Sequence, residues 1–233
     1  MNIVVFGANG PTGQHVAKQA LAEGHAVTVV IRHPRMFPPR HERLTVQYGD
    51  VFDPAAVEQA VAGQDAVLSS LGVPFSRKPI AVYSQGMANI VQAMRDHGVR
   101  RLVCVSSSAT GANHETGGGF LFDRVLQPII ISTIGQTTYT DMRRMEALVK
   151  NSGLDWTIVR PSGLFETPGV TRYQIAEEHI RRQFTSRADL ADCMLRQLTD
   201  DRYVRKVVAV ATFAAQPNVL KFMLGESFQS RPN

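Results

Sequence analysis

Cysteine is nearly missing from this sequence: Cys104 and Cys193 are the only two among 233 residues. Two thiols cannot build the disulfide framework of a small secreted domain, and such sparse use suits a reducing compartment, which we take to be the cytoplasm. Long apolar runs are missing too. The hydrophobic stretches fall far short of the roughly 20 residues that cross a bilayer, so no membrane span is expected. No leader is expected ahead of Ile3-Val4-Val5-Phe6, which begins a strand almost at Met1. The seven histidines show neither paired helical spacing nor cysteine partners at zinc spacing, and no metal site is expected. No nucleophile-elbow motif is present, so a serine-hydrolase arrangement is not suggested. The net charge of +5 is not concentrated. Its arginines are scattered (Arg32 and Arg35, Arg100 and Arg101, Arg143 and Arg144, Arg181 and Arg182) without interleaved aromatics, which argues against nucleic acid.

What is present is an alternation. Hydrophobic residues make up 44% of the chain, enough for a core. Apolar, β-branched runs at Asn2–Phe6, Ala26–Ile31, Leu44–Tyr48, Ala66–Leu71, Arg101–Ser106, Trp156–Arg160 and Val207–Ala211 read as strands. Between them, Thr12–Glu23, Ala55–Val61, Tyr83–His97, Thr140–Lys150 and Ala188–Leu198 carry helical periodicity, with Met87, Ile90, Val91 and Met94 on one face of the third. Repeated strand–helix–strand units call for an α/β fold with a doubly wound parallel sheet, because right-handed crossovers put helices on both faces. One domain over residues 1–233 is expected. Two excursions, 112–138 and 164–186, leave from the carboxyl ends of strands, where such sheets bind ligands, and read either as substrate walls or as packing and dimer contacts. The tail 213–233 carries Val219, Leu220, Phe222, Met223 and Leu224 and reads as a docking segment for the same or another subunit, in a monomer or a homodimer.

The run Val4-Val5-Phe6-Gly7-Ala8-Asn9-Gly10-Pro11-Thr12-Gly13 leaves a strand directly and opens a helix directly. Gly7 permits the tight turn, Gly10 leaves room for a pyrophosphate against bare backbone, and Gly13 lets the helix lie close to the sheet. The helix N-terminus, with its free N–H groups and positive dipole end, then receives the phosphates; Asn9, Pro11 and Thr12 complete this Rossmann-type cofactor loop. NAD enzymes place a carboxylate about twenty residues on. Here that position carries Arg32, followed by Arg35, and no acid stands between Glu23 and Glu42. A carboxylate would repel a 2′-phosphate whereas a guanidinium binds it, so NADP(H) is the expected cofactor. A basic surface then serves an anionic dinucleotide and an acidic small-molecule substrate.

Together with Gly7–Gly13, the segments Gly49-Asp50-Val51, Gly63-Gln64-Asp65-Ala66-Val67, Gly98-Val99, Ser152-Gly153-Leu154-Asp155-Trp156-Thr157-Ile158-Val159-Arg160-Pro161 and Arg187-Ala188-Asp189-Leu190-Ala191 resemble an atypical short-chain dehydrogenase/reductase. The pattern is similar to the NmrA-like NAD(P)-binding proteins, on the side of the biliverdin-IXβ reductase/flavin reductase branch, over roughly residues 1–212. That resemblance implies Asp50 and Val51 beside the adenine, and Ser70, Leu71 and Gly72 along the pyrophosphate and nicotinamide-side ribose. It further implies Ser106 and Ser107 facing the nicotinamide, and Pro161 and Ser162 over its carboxamide. Read by themselves, Asp50 is equally a turn residue and the serines equally a polar strand terminus.

Standard members use a Tyr-x-x-x-Lys pair in which the lysine lowers the tyrosine's pKa. Tyr139 and Arg143 have the spacing, yet counting back from Ser152-Gly153-Leu154 puts the pair on Thr138 and Met142, about a hundred degrees round the helix. The expected catalytic residues are therefore Tyr139, as a doubtful acid/base, and Ser107, as a hydrogen-bond donor to acceptor or nicotinamide. Hydride delivery to a flavin, quinone or bilin-like acceptor needs mainly orientation. The expected function is an NADPH-dependent oxidoreductase acting on such a planar acceptor, with Phe120, Leu121, Phe122, Phe165 and Tyr173 as its platform. The alternative is a non-catalytic NADP(H) sensor of the NmrA-like kind, and a sugar-nucleotide epimerase, which would want the intact pair and a larger substrate lobe, ranks last.

Overall fold

The computed structural model describes residues 1–32, 41–74, 78–111, 136–181 and 184–214. Strands β1 (Asn2–Phe6), β2 (Ala26–Ile31), β3 (Leu44–Tyr48), β4 (Ala66–Ser69), β5 (Arg101–Val105), β6 (Asp155–Pro161), β8 (Tyr173–Glu177) and β10 (Lys206–Thr212) make one sheet in the order β3-β2-β1-β4-β5-β6-β10-β8. All its neighbours are parallel except β8, which runs antiparallel to β10 and pairs Thr212 with Tyr173. Strands β7 (Gly163–Phe165) and β9 (Phe184–Ser186) form a separate parallel pair. Helices α1 (Pro11–Ala22), α2 (Pro54–Val61), α3 (Val82–Asp96), α4 (Gln136–Lys150) and α5 (Arg187–Arg196) complete the described elements.

Strands buried on both faces have no polar side, which is why the runs are nearly all apolar. In β1, Val4 and Phe6 face a core shared with α2, α3 and α4, while Ile3 and Val5 face one shared with α1 and α5. The parity continues across the sheet: Trp156 and Ile158 join the first core and Val159 the second. The order β2-β1-β4-β5 reverses direction between β1 and β4, and this switch opens a crevice at the carboxyl edge where ligands of such sheets bind.

Helix ends are fixed by side chains from near and far. Asp53 caps α2 by accepting from Ala55 N at 3.0 Å, and Ser186 caps α5. No local side chain caps α3. Instead, the fully buried Asp141 of α4 accepts from Tyr83 N at 2.9 Å, from Ser84 N at 3.3 Å and from the Ser84 hydroxyl. A carboxylate there meets both the unpaired N–H groups and the positive end of the helix dipole.

The excursion 164–186 departs from the loop expected for it. It contains Phe165, β8 and β9, and it puts an antiparallel strand at the sheet edge. These strands are short and half-polar, so no β-branched run announces them. Phe165 and Tyr173 do not form an acceptor platform. Phe165 is buried, edge-on to Phe184 at 6.4 Å, and Tyr173 packs against the α1/α5 core with its hydroxyl donated to Asp192. Helix α4 begins at Gln136, inside the other excursion. Phe120, Leu121, Phe122 and the tail from 215 lie outside the described residues.

Candidate functional site

At the crevice, two of the three loop glycines are demanded by the protein itself. Gly7 has φ 80, and a Cβ there would stand 2.5 Å from Ser70 O. At Gly13 a Cβ would stand 2.3 Å from Gly7 O, because the first turn of α1 rests on the end of β1. Gly10 differs. Among the described residues a Cβ there would meet only Gly7 O, at 3.3 Å, a tight contact short of a clash, and one at Gly72 would meet nothing within 4 Å. Packing of the described residues therefore leaves open space at Gly72 and forbids a Cβ at Gly10 far less than at Gly7 or Gly13. Gly10 is also the N-cap of α1, with Pro11 at the first helical position and Thr12 buried behind it. Among the described residues the buried Asn9 Oδ1 has no hydrogen-bond partner, although Asn9 O accepts from Gln14 Nε2 at 3.1 Å. An open glycine and a helix N-terminus whose first turn carries no acid fit a dinucleotide pyrophosphate, while the orphaned Asn9 oxygen fits a donor such as a ribose hydroxyl and not the phosphates.

The remaining expected residues lie along the same edge. Ser70 is tied to the loop, its hydroxyl reaching Phe6 O at 3.3 Å and Gly7 O at 3.4 Å, and Leu71 and Gly72 follow it. Arg32 is exposed just past the end of β2, and among the described residues no carboxylate pairs with it. Arg35 lies outside the described residues. Asp50 turns the chain, its Oδ1 accepting from Phe52 N at 3.0 Å. Val51 is buried, and its carbonyl accepts from Asn89 Nδ2 at 2.9 Å. Pro161 ends β6, and Ser162 N donates to Thr185 Oγ1 at 3.1 Å, which joins β6 to β9.

The two serines after β5 divide. Ser106 is buried and donates to Glu146 Oε1 at 2.7 Å, so its hydroxyl is engaged inside the protein. Ser107 is half-buried, and its Oγ accepts from Ala109 N at 3.2 Å, capping a short 3-10 turn over Ser108–Thr110. Among the described residues no acceptor takes its hydroxyl proton. Tyr139 packs against the α2/α3/α4 core and Arg143 is exposed, donating to Ala109 O at 3.3 Å. Thr138 and Met142 are both buried, and Thr138 Oγ1 has no partner among the described residues. Tyr83, beside Asp141 and Tyr139, is pushed up to about 12, mainly by burial and despite a backbone hydrogen bond from Val73.

Three residues to which the sequence assigned no role hold this half together. Glu146 of α4 takes Arg160 in a two-point fork, Nε to Oε1 at 2.9 Å and Nη2 to Oε2 at 2.6 Å, both side chains nearly fully buried. Thr110 Oγ1 also lies 2.7 Å from Glu146 Oε1. Burial pushes the Glu146 carboxyl up, but hydrogen bonds from Arg160 and Ser106 with the guanidinium charge outweigh it, and the net is below the ordinary range. The third is Asp189, fully buried, which accepts from Thr171 N at 2.6 Å and Thr171 Oγ1 at 2.9 Å and so pins the 167–171 segment. A signal for the pair existed: Arg160 follows Trp156 and Ile158 on the buried face of β6, and Glu146 lies beside Met142, Met145 and Val149 on the buried face of α4. Opposite charges at two core positions imply each other.

Two hollows flank the sheet. A cavity of about 170 Å³ lies at the carboxyl half, under Ser108, Arg160 and Ser162. A larger, shallow cleft of about 540 Å³ lies at the amino edge, between Asp65, Arg100 and Asp155. Arg100 and Asp155 in it pair with each other at 2.9 Å, and it sits opposite the ligand-binding edge of an open sheet. Among the described residues there is no cluster of metal ligands and no helix long and apolar enough to cross a membrane.

A family model described as NAD(P)H-binding matches residues 7–201, from the first loop glycine past α5. The chain belongs to the NAD(P)H-binding family. Within the curated proteins, an uncharacterized chloroplastic protein of Arabidopsis thaliana is 27% identical over 228 residues, covering 92% of this chain and 78% of its own. A short-chain dehydrogenase/reductase from Veillonella parvula, solved in complex with NADP, superposes with a TM-score of 0.77 at 21% identity, covering 93% of this chain and 98% of that one. ChuY, an anaerobillin reductase from Escherichia coli O157:H7, superposes at 0.74 and 22%, covering 93% and 100%. At these identities the two structures establish the shared fold. The expected NAD(P)-binding family and Rossmann-type fold are borne out, and the fold is the one that these short-chain dehydrogenase/reductase structures share.

Proposed function

We propose that this NAD(P)H-binding protein is an NADPH-dependent reductase of a planar, conjugated acceptor. The observation that carries the reading is Arg32, an arginine without a carboxylate partner among the described residues, just past the end of β2, the strand paired with β1, which leads into the glycine loop; a guanidinium there suits a 2′-phosphate. When bound, NADPH supplies a hydride. The chain's own part is positioning. Gly10 and the first turn of α1 hold the pyrophosphate, Asn9 Oδ1 accepts a cofactor donor, and the Gly72 backbone admits the cofactor's nicotinamide half. Glu146 and Arg160 hold the Ser106–Ser107 edge, so that the Ser107 hydroxyl is preset to align nicotinamide and acceptor. With Arg143 turned to Ala109 O, nothing here depends on a tyrosine proton relay. The fold likeness to an anaerobillin reductase is in keeping with an acceptor of this kind. Two buried free thiols suit a reducing compartment such as the cytoplasm.

That same Arg143 orientation favours one second reading, a non-catalytic NADP(H) sensor. The test is NADPH consumption over a panel of flavins, quinones and bilins, run beside calorimetric titration of the cofactor. Turnover of at least one class is the expected result. Tight NADPH binding with no turnover on any acceptor would overturn the reductase reading in favour of the sensor.

A further inference from the structure

The fork between Arg160 and Glu146 uses two of the three guanidinium nitrogens. The third, Nη1, belongs to the wall of the 170 Å³ cavity with Ser108, Gly111, Ser162, Glu178 and His179. Among the described residues it meets one group there, by a long contact, Glu178 Oε2 at 3.3 Å. Charge-assisted hydrogen bonds of this type run about 2.7–2.9 Å, so the contact is loose. Glu146 already neutralises Arg160, and Glu178 is not required for that. The side chain of Glu178 is 69% exposed, and its backbone stands at φ 62, a left-handed conformation that non-glycine residues rarely keep. A strained, water-exposed glutamate therefore rests its carboxylate on the outward nitrogen of a buried arginine, at the rim of a cavity on the ligand side of the sheet.

We propose that this cavity is a carboxylate subsite, in which a carboxylate arm of the acceptor takes the place of Glu178 on Arg160 Nη1. Glu178 shows the chemistry that fits, because a carboxylate already occupies the position. Its release returns it to water that it largely faces now. Pockets for whole drug-sized ligands run about 300–1,000 Å³, so 170 Å³ takes an arm and leaves the conjugated body outside. The body then lies toward the cofactor edge, since Ser108 directly follows Ser107 and Ser162 directly follows Pro161. A chain of net charge +5 suits an anionic substrate. For what the carboxylate belongs to, the inference rests on the reductase reading; for the subsite itself it does not.

The experiment compares 1-naphthylacetate with its methyl ester by calorimetry on the full-length protein saturated with NADP⁺, in wild type and in Glu178→Gln. The acid should bind about tenfold or more tighter than the ester, and Glu178→Gln should raise affinity for the acid about three- to tenfold while leaving the ester unchanged. Glu178 is exposed, so the variant folds, and a merely structural tie between β8 and β6 would move its melting point without moving the acid-to-ester ratio. Equal affinity for acid and ester, or a ratio unmoved by Glu178→Gln, overturns the subsite. In the NADPH assay, absence of turnover with the acid-to-ester ratio intact removes the reductase reading and keeps the subsite. Turnover of carboxylated and esterified acceptors at equal KM does the reverse.

Discussion

Around Gly7–Gly13 the decisive positions are set by how closely backbones approach, whereas around Ser106–Thr110 they are set by buried charge. In the first region a missing side chain is the feature: a Cβ at Gly13 would stand 2.3 Å from a backbone oxygen, and one at Gly10 would stand 3.3 Å from the same oxygen, short of a clash. In the second, a carboxylate and a guanidinium hold two hydroxyls and a strand end in place. On the proposed reading the cofactor half can therefore lose its ligand without losing its structure, whereas the proposed acceptor half would carry structure and function on the same atoms.

The largest expected effect is on stability, in the acceptor half. Glu146→Ala leaves Arg160 buried without its main partner and should cost about 3–5 kcal/mol, read by urea unfolding. The same carboxyl makes stability depend on acid. Its pKa is lowered on folding, so its contribution is full above the unfolded value of about 4.3 and is lost as pH falls through the depressed folded value. Glu146→Gln should therefore flatten the acid limb of the stability curve, and an unaltered limb would mean that the pair is not a source of acid sensitivity.

In the cofactor half the two glycines should separate. Gly13→Val collides with backbone and should unfold the first turn of α1, while Gly10→Val should keep the native circular dichroism spectrum and lose dinucleotide binding. Retained NADPH affinity in Gly10→Val would remove the loop from the site. Smaller effects are expected on turnover. Tyr139→Phe should cost less than about tenfold, because a positioned acid contributes 10²–10⁴ and we assign it none. Ser107→Ala should cost more, by losing the alignment of nicotinamide and acceptor. A thousandfold loss for Tyr139→Phe with Ser107→Ala nearly silent would restore the conventional tyrosine mechanism.

The same contrast explains what was legible in the sequence. Strands β1, β2 and β3 were bounded correctly because β-branched runs followed by glycine or arginine leave little choice, and the glycine loop could be read because Gly7 and Gly13 answer local backbone demands. Strands β7, β8 and β9 escaped because Tyr173-Gln174-Ile175-Ala176-Glu177 is half-polar and pairs only through β10, far along the chain. Ser106 was assigned to the cofactor edge without notice of Glu146, since a hydrogen bond across 40 residues leaves no mark in the local pattern. Asp189 was quoted as part of a motif without its role, which is to hold Thr171. Local rules reach backbone features; they do not reach polar pairs closed by the tertiary fold.

The central claim, NADP(H) held at the glycine loop with its 2′-phosphate on Arg32, is tested most directly by titrating wild type and Arg32→Asp with NADPH and with NADH. Loss of a charge-assisted phosphate pair of about 1.5–3 kcal/mol should weaken NADPH roughly 10- to 150-fold, with NADH little changed. Equal weakening of both cofactors, or of neither, would contradict the assignment.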